Sequence, residues 1–289
     1  MMVALKKMKE LEYYFEALFQ ESNLYIKIRY ILLVLTITFL SVSIFVDGYI
    51  LYISTFFALI FQSFSWCLKY KIGNIRDIAN EFHKISMLTS AYGYIPCEFQ
   101  LSHLKTSVSN NVFCEVKEKT KNDAKGTEYY LNNLNNPREK LLSMIHENCY
   151  WNFHLFRTVF RHLIFGISLT IIVLITLVVI LAIPLTKSDP EYTILRLAFI
   201  FLSFSLFYEV IERAVYSHRS SRIMLEIDNE LTRSKEKITE LQLLKIFNQY
   251  CDAKESAPNV PFFIYSSNKH RLNSGWENRV DMNKTAFFK

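Results

Sequence analysis

Three side chains in one short stretch, His146, Cys149 and His154 of HENCYWNFH, are of types that ligate transition metals. On a helix His146 and Cys149 stand three residues apart and share a face. His154 lies eight residues from His146, about two turns away and out of reach of the same ion. No CxxC and no HExxH accompanies them, so neither a metal site nor a cofactor is expected. The chain carries no Gly-rich phosphate loop, no GxSxG and no kinase motif. Its paired charges, Asp77 with Glu81 and Glu209 with Glu212 or Arg213, have the one-turn spacing of a solvated helix face. The residues argue against an enzyme.

Polar groups embedded in apolar sequence point elsewhere. Glu209 lies near the end of an otherwise apolar run, where an ionisable group either faces a protein interior or wet cavity, or snorkels to the interface. Gln62 and Ser65 in a second run, with Ser203 in the run of Glu209, are pore-lining candidates, although small hydroxyls also serve as packing residues. No acidic ring, TVGYG-like filter or series of regularly spaced arginines is present, which excludes a selective voltage-gated channel. A transporter needs more spans and broken helices.

Four apolar runs hold these residues: Ile31–Val46, Ile50–Leu68, Leu163–Ile183 and Leu197–Ile211. Only Glu209 is charged among them. The third run would be about 31 Å long as a helix, enough for a bilayer core. The expected architecture is an all-α membrane protein with two transmembrane hairpins and long helices reaching into a cytoplasmic domain, with a small mixed element at 92–136 left open. Six Gly and six Pro in 289 residues disfavour a turn-rich β protein. Thirty residues precede the first run and no small-residue cleavage site follows it, so that run reads as an uncleaved anchor.

Of 33 basic residues only Lys187 and Arg196 fall in the connections assigned to the outside. By the positive-inside rule both termini and the central segment are cytoplasmic, in a multi-pass inner-membrane protein. All five cysteines lie outside those connections, and no disulfide framework is expected. The formal charge of +6 fits attraction to anionic headgroups and requires no nucleic acid polymer.

The segments divide as follows. Residues 1–29 form an amphipathic helix, with Leu5, Met8, Leu11, Phe15, Leu18 and Phe19 on one face. Residues 30–68 are the first hairpin, 69–161 a cytoplasmic helical or sensor segment, and 162–212 the second hairpin. Residues 213–256 form a long cytoplasmic helix, and 257–289 a tail docked through its aromatic residues on the domain or the membrane surface. Within 69–161, Phe99–Val116 fits either short helix or short strand, and KEKTKNDAKGTEYYLNNLNNPRE reads as a polar loop. Pro137 suits the first turn of a new helix capped by Asn135 or Asn136. Met224, Ile227, Leu231, Ser234, Ile238, Leu241 and Lys245 make a heptad seam. It can pack within the chain or join chains in a homo-oligomer.

The central segment holds 13 basic and 9 acidic residues, with Tyr92, Tyr94, Tyr129, Tyr130, Tyr150 and Trp151 interleaved. Phosphate contacts and base stacking would suit a nucleotide, and juxtamembrane basicity with core aromatics accounts for the same composition. The ligand candidates are Lys84, His103, Lys105, Arg138, Tyr150 and Trp151. Arg138 leads, because an Arg at a helix start grips phosphate with paired hydrogen bonds, although it can equally cap the helix.

The approach to the third run, NPREKLLSMIHENCYWNFHLFR, resembles that of predicted four-transmembrane pore-forming effectors of bacterial cyclic-oligonucleotide antiphage signalling (CBASS-type). Pro137, Arg138, Leu141, Leu142, Ile145, Glu147, Asn148, Trp151 and His154 are the matching positions. The tail is similar as well, at Pro261, Tyr265, Leu272, Asn273 and Trp276. The resemblance implies an inner-membrane effector that disrupts the membrane when a cyclic nucleotide second messenger binds in the cytoplasm, in antiphage defence. The alternative is a membrane scaffold that recruits a cytoplasmic partner through its long helix.

Overall fold

The computed structural model describes residues 2–46, 48–94, 97–122, 136–181, 193–234 and 238–286, and their side chains except at 2–6, 44–45, 122, 170–181, 193–206, 234 and 281–286. Among the described residues all regular structure is α-helical. The order is α1 (Met2–Phe45), α2 (Tyr49–Tyr92), α3 (Glu98–Thr106), α4 (Asn110–Asn122), α5 (Pro137–Leu181), α6 (Thr193–Ser234), α7 (Glu240–Ser256) and α8 (Phe262–Ala286). Phe99–Val116 is therefore helical, and no mixed element occurs in the described part of 92–136. The polar stretch begins as the end of α4, its next residues, 123–135, lie outside the described residues, and it ends in the first turn of α5.

The chain forms two compact units. The first comprises Met1–His83, Pro96–Gly126 and Leu169–Glu209, and the second Lys84–Ile95, Thr127–Ser168 and Val210–Lys289. The divisions fall within α2, α5 and α6, each of which is a single helix.

In the first unit α1 does not stop where the apolar run begins. One helix carries both the amphipathic segment and the run, because nothing between Met2 and Phe45 breaks it: the stretch holds neither Gly nor Pro. Gly48, with φ of 67°, precedes α2, a conformation that costs a residue with a Cβ but not glycine. Leu40 packs on Ala58 in a small apolar cluster, and the Phe39 ring sits 5.6 Å from Phe57 and 5.5 Å from Phe61. Further along the hairpin Tyr14 stacks on Phe82 at 4.8 Å, and Phe15 meets His83 edge-on. From Met8 to Leu18 the apolar face of this segment is thus covered by protein, with Met8, Leu11, Tyr14, Phe15 and Leu18 buried. Helix α4 packs on α1, Val112 and Val116 are buried, and the Ser109 hydroxyl donates to Glu21 at 3.2 Å.

Helices Lys7–Ser43 and Tyr49–Tyr92 are long and apolar enough to cross a membrane. Only 17% and 33% of their most apolar windows are buried, unlike the core helix of a soluble protein. The third and fourth runs lie on α5 and α6, where the side chains of 170–181 and 193–206 are outside the described residues, as is the connection 182–192.

The second unit has one large core. Leu141, Leu142, Ile145 and Cys149 of α5 meet Met224, Ile227 and Leu231 of α6, Leu243, Ile246, Phe247 and Tyr250 of α7, and Met87 and Ala91 of α2. Pro137 opens α5, and the Asn136 side chain accepts from the Arg138 backbone N–H at 3.1 Å, the cap that the N-P pair predicts. Helix α2 ends at Gly93, with φ of 65°, whose N–H reaches the Thr89 carbonyl at 2.9 Å.

The expected long helix over 213–256 is two helices. Helix α6 ends at Ser234 and α7 starts afresh at a capping box, in which the Thr239 hydroxyl accepts from Gln242 N–H and the Gln242 side chain accepts from Thr239 N–H. The register shifts there: Leu241, a heptad position, is 80% exposed, while Leu243, Ile246 and Phe247 are buried. Met224, Ile227, Leu231 and Ile238 are spent on the intrachain core rather than presented to a second chain. Changing both Leu231 and Ile238 to Glu should consequently unfold this unit, since each places a carboxylate in an apolar core. Circular dichroism in detergent would register the helix loss; a folded variant that only changes oligomeric size would return the seam to an intermolecular role.

The segment after Ser256 is also mostly helix. Ile264 and Leu272 of α8 bury against Leu155 and Val159 of α5, with Leu163, Tyr150 and Trp151 packed around them.

Candidate functional site

The apolar stretches of α1 and α2 have their polarity reversed relative to a soluble protein. On α2, Ile50, Ile53, Phe56 and Phe64 are 54–61% exposed, whereas Ser54, Thr55, Gln62 and Ser65 are buried. On α1, Ile31, Val34 and Ile37 are exposed and Thr36 is buried. Helix spacing explains the segregation, because positions 51, 54, 55, 58, 62 and 65 fall on one face. Thr36 and Thr55 donate to their own helix at Leu32 and Leu51, 2.9 and 3.0 Å away. The two side-chain amide atoms of Gln62 and the Ser65 hydroxyl, all buried, find no hydrogen-bond partner among the described residues.

Glu209 is buried in the first unit and forms an ion pair with Arg29 of α1, also buried. It therefore does not snorkel. Arg29 stands two residues before the first apolar run and Glu209 two residues before the end of the fourth. Each supplies the counter-charge that an ionised group in such a place requires. Arg29 was not evident from sequence, where it reads as one more flanking cation. Ser203 falls within α6, and its side chain lies outside the described residues.

The six ligand candidates divide between the units. His103 and Lys105, on α3, belong to the first. His103 is exposed, and Lys105 pairs with Glu10 of α1, its ammonium 5.6 Å from the Tyr14 ring. Lys105 and Glu10 line a groove of about 440 Å³ with Lys7, Glu98, Ser102 and Phe113. Its two cations are balanced by two carboxylates, which weakens it as a phosphate site. Lys84, Arg138, Tyr150 and Trp151 belong to the second unit. The Arg138 guanidinium donates to the Ile238 carbonyl, tying the start of α5 to the segment before α7. Tyr150 and Trp151 pack against protein rings, tilted or edge-on: Tyr150 lies 5.6 Å from Trp276 and 4.8 Å from His154, and Trp151 lies 6.1 Å from Tyr265. Gly275 lies at this contact, where a Cβ would run into the Tyr150 hydroxyl and force that side chain to shift. Tyr129 and Tyr130 lie outside the described residues.

His146 and Cys149, although one turn apart, have different surroundings. Cys149 is in the apolar core, where burial raises its thiol well above the ordinary value; burial also pushes the Cys251 thiol up to about 12. His146 turns to Asp228 of α6, with Nε2 3.1 Å from Oδ1 and 3.2 Å from the Thr232 hydroxyl. Arg279 of α8 completes the cluster, donating to Asp228 Oδ2 at 3.0 Å and to Thr232 at 2.9 Å. Burial by itself would raise the Asp228 carboxyl, but its contact with His146 and the Arg279 charge and hydrogen bond together hold it below its ordinary value. His154 is shifted down, by burial first and then by Arg271 and Arg157. Among the described residues no three His, Cys, Asp or Glu side chains gather as a metal site would need. Because Thr232 and Asp228 share the same imidazole nitrogen, the cluster lacks the relay of a nucleophilic triad. It fastens α8 to α5 and α6.

Comparisons with protein-family models, with curated proteins and with solved structures find no match to this chain.

Proposed function

We propose that this chain is a non-enzymatic inner-membrane effector with four spans and cytoplasmic termini, which assembles as a homo-oligomer and opens an aqueous path when a cytoplasmic signal binds. The observation that carries the reading is the reversed polarity of α1 and α2. Apolar side chains outside and Ser54, Thr55, Gln62 and Ser65 inside suit helices surrounded by lipid and gathered about a polar line. A buried amide without partners costs about 1–3 kcal/mol, a penalty that water in an open path, or a neighbouring copy, would relieve. Helices α2, α5 and α6 continue without a break from apolar run to polar domain, as a protein that passes a signal to its spans requires. The signal is a cyclic nucleotide, in antiphage defence, on the strength of the sequence resemblance. Arg138 contributes by holding the α6–α7 connection rather than by standing free for phosphate. A scaffold would need a recruiting surface on its long helix, and the heptad seam is already occupied by the core.

Dye release from vesicles containing the purified chain tests the proposal, with a panel of cyclic di- and trinucleotides added outside oriented proteoliposomes. Release should depend on one of them, and Gln62→Leu with Ser65→Leu should lower it roughly tenfold by making the line apolar. Vesicles that stay sealed with every nucleotide and at every protein density would reject the pore.

A further inference from the structure

The start of α8 carries two large side chains that the protein does not cover: Phe262 and Phe263 are 69% and 62% exposed. They belong to a helix whose opposite face is well packed through Ile264 and Leu272. The Phe263 ring stands 6.4 Å from His162 of α5. His162 directly precedes the third apolar run, in which Leu163 packs against the α8 cluster while Ile164 and Phe165 are exposed. The exposed apolar surface of α5 is thus continuous with that of the first turn of α8. Along these two segments the charge has one sign: residues 155–168 and 257–276 contain Arg157, Arg161, Lys269 and Arg271 and no Asp or Glu.

We propose that the first turn of α8 is an interfacial anchor that docks on an anionic lipid leaflet, with Phe262 and Phe263 at the level of the acyl-chain boundary and Arg161 and Lys269 at the lipid phosphates. An apolar patch rimmed by cations and joined to a lipid-facing helix fits a phospholipid surface. The Pro258 to Pro261 connection delivers α8 to that level, and the Asp228–Arg279 clamp holds its far part on α5 and α6. This inference rests on α5 crossing the bilayer, as proposed above.

The test uses the full chain in proteoliposomes with Cys67, Cys97 and Cys114 changed to Ser. An environment-sensitive fluorophore is placed in turn at Phe263→Cys, Asn273→Cys and Leu169→Cys. In vesicles of phosphatidylethanolamine and phosphatidylglycerol, position 263 should be quenched by headgroup-proximal spin-labelled lipid. It should be shielded from aqueous iodide roughly threefold better than position 273, which lies about 15 Å further along α8. Arg161→Glu with Lys269→Glu should weaken lipid quenching at 263 on these vesicles and leave it unchanged on phosphatidylcholine. Lipid quenching at 169 without any at 263 overturns the anchor and leaves the span standing. Exposure at both positions overturns the span as well. Shielding from iodide at 263 without lipid quenching means that protein covers the patch, and overturns the lipid assignment. Charge reversals with no effect on anionic vesicles overturn the part given to Arg161 and Lys269.

Discussion

Glu209→Ala should cost about 3–5 kcal/mol, because it strands the Arg29 guanidinium in a buried site without its counter-charge. That is a large fraction of the roughly 5–15 kcal/mol that holds most domains folded, so the variant should melt well below the parent in detergent. Arg29→Ala should be as damaging, since it leaves the carboxylate unpaired. The informative variant is the double one, Arg29→Met with Glu209→Met. Removing both charges removes both desolvation penalties, so the pair should cost less than either single change, with a coupling of a few kcal/mol. Additive melting shifts would mean that the two groups do not depend on each other. In the vesicle assay the single variants should also leak without a nucleotide, because the pair ties α1 to α6.

Asp228→Ala should loosen α8 and cost about 2–4 kcal/mol, less than the Arg29–Glu209 break because Arg279 is partly exposed and can recover water. His146 cannot recover it as easily, being buried beside Trp276 at 5.2 Å. The pH dependence has a definite sign. The folded carboxyl titrates below its ordinary value of 3.8, so the unfolded chain takes up the proton first. The stabilisation is therefore complete above pH 3.8 and is lost as pH falls through the lower folded-state value. Asp228→Asn should abolish this acid loss while keeping part of the hydrogen bonding. Hydrogen exchange along Phe262–Ala286, followed from pH 7 downwards with correction for the intrinsic rate, would measure it. Equal protection of α8 in parent and Asn variant at pH 3 would show that the clamp contributes nothing there.

What was legible in the sequence is what local pattern controls. Uninterrupted apolar runs, the near absence of helix breakers and the Asn-Pro start of α5 dictate long helices, and these persist in the structure. The heptad seam was legible as a buried stripe, because a three-and-four spacing marks a face whatever covers it. Which surface covers it was not legible, since a helix of the same chain and one of a second chain satisfy the same pattern. The Thr239–Gln242 capping box stood in the sequence but was masked by the apparent continuation of the seam to Leu241 and Lys245. Lys84, His103, Lys105, Arg138, Tyr150 and Trp151 could be picked by residue type alone. Only tertiary packing separated His103 and Lys105 from the others, turned Arg138 to a carbonyl, and set both aromatics against α8. The pairs that carry the largest expected energies, Arg29 with Glu209 and Asp228 with His146 and Arg279, join residues 51 to 180 positions apart. Periodicity relates residues within a few turns, whereas a charge finds its partner through the fold that brings distant helices together.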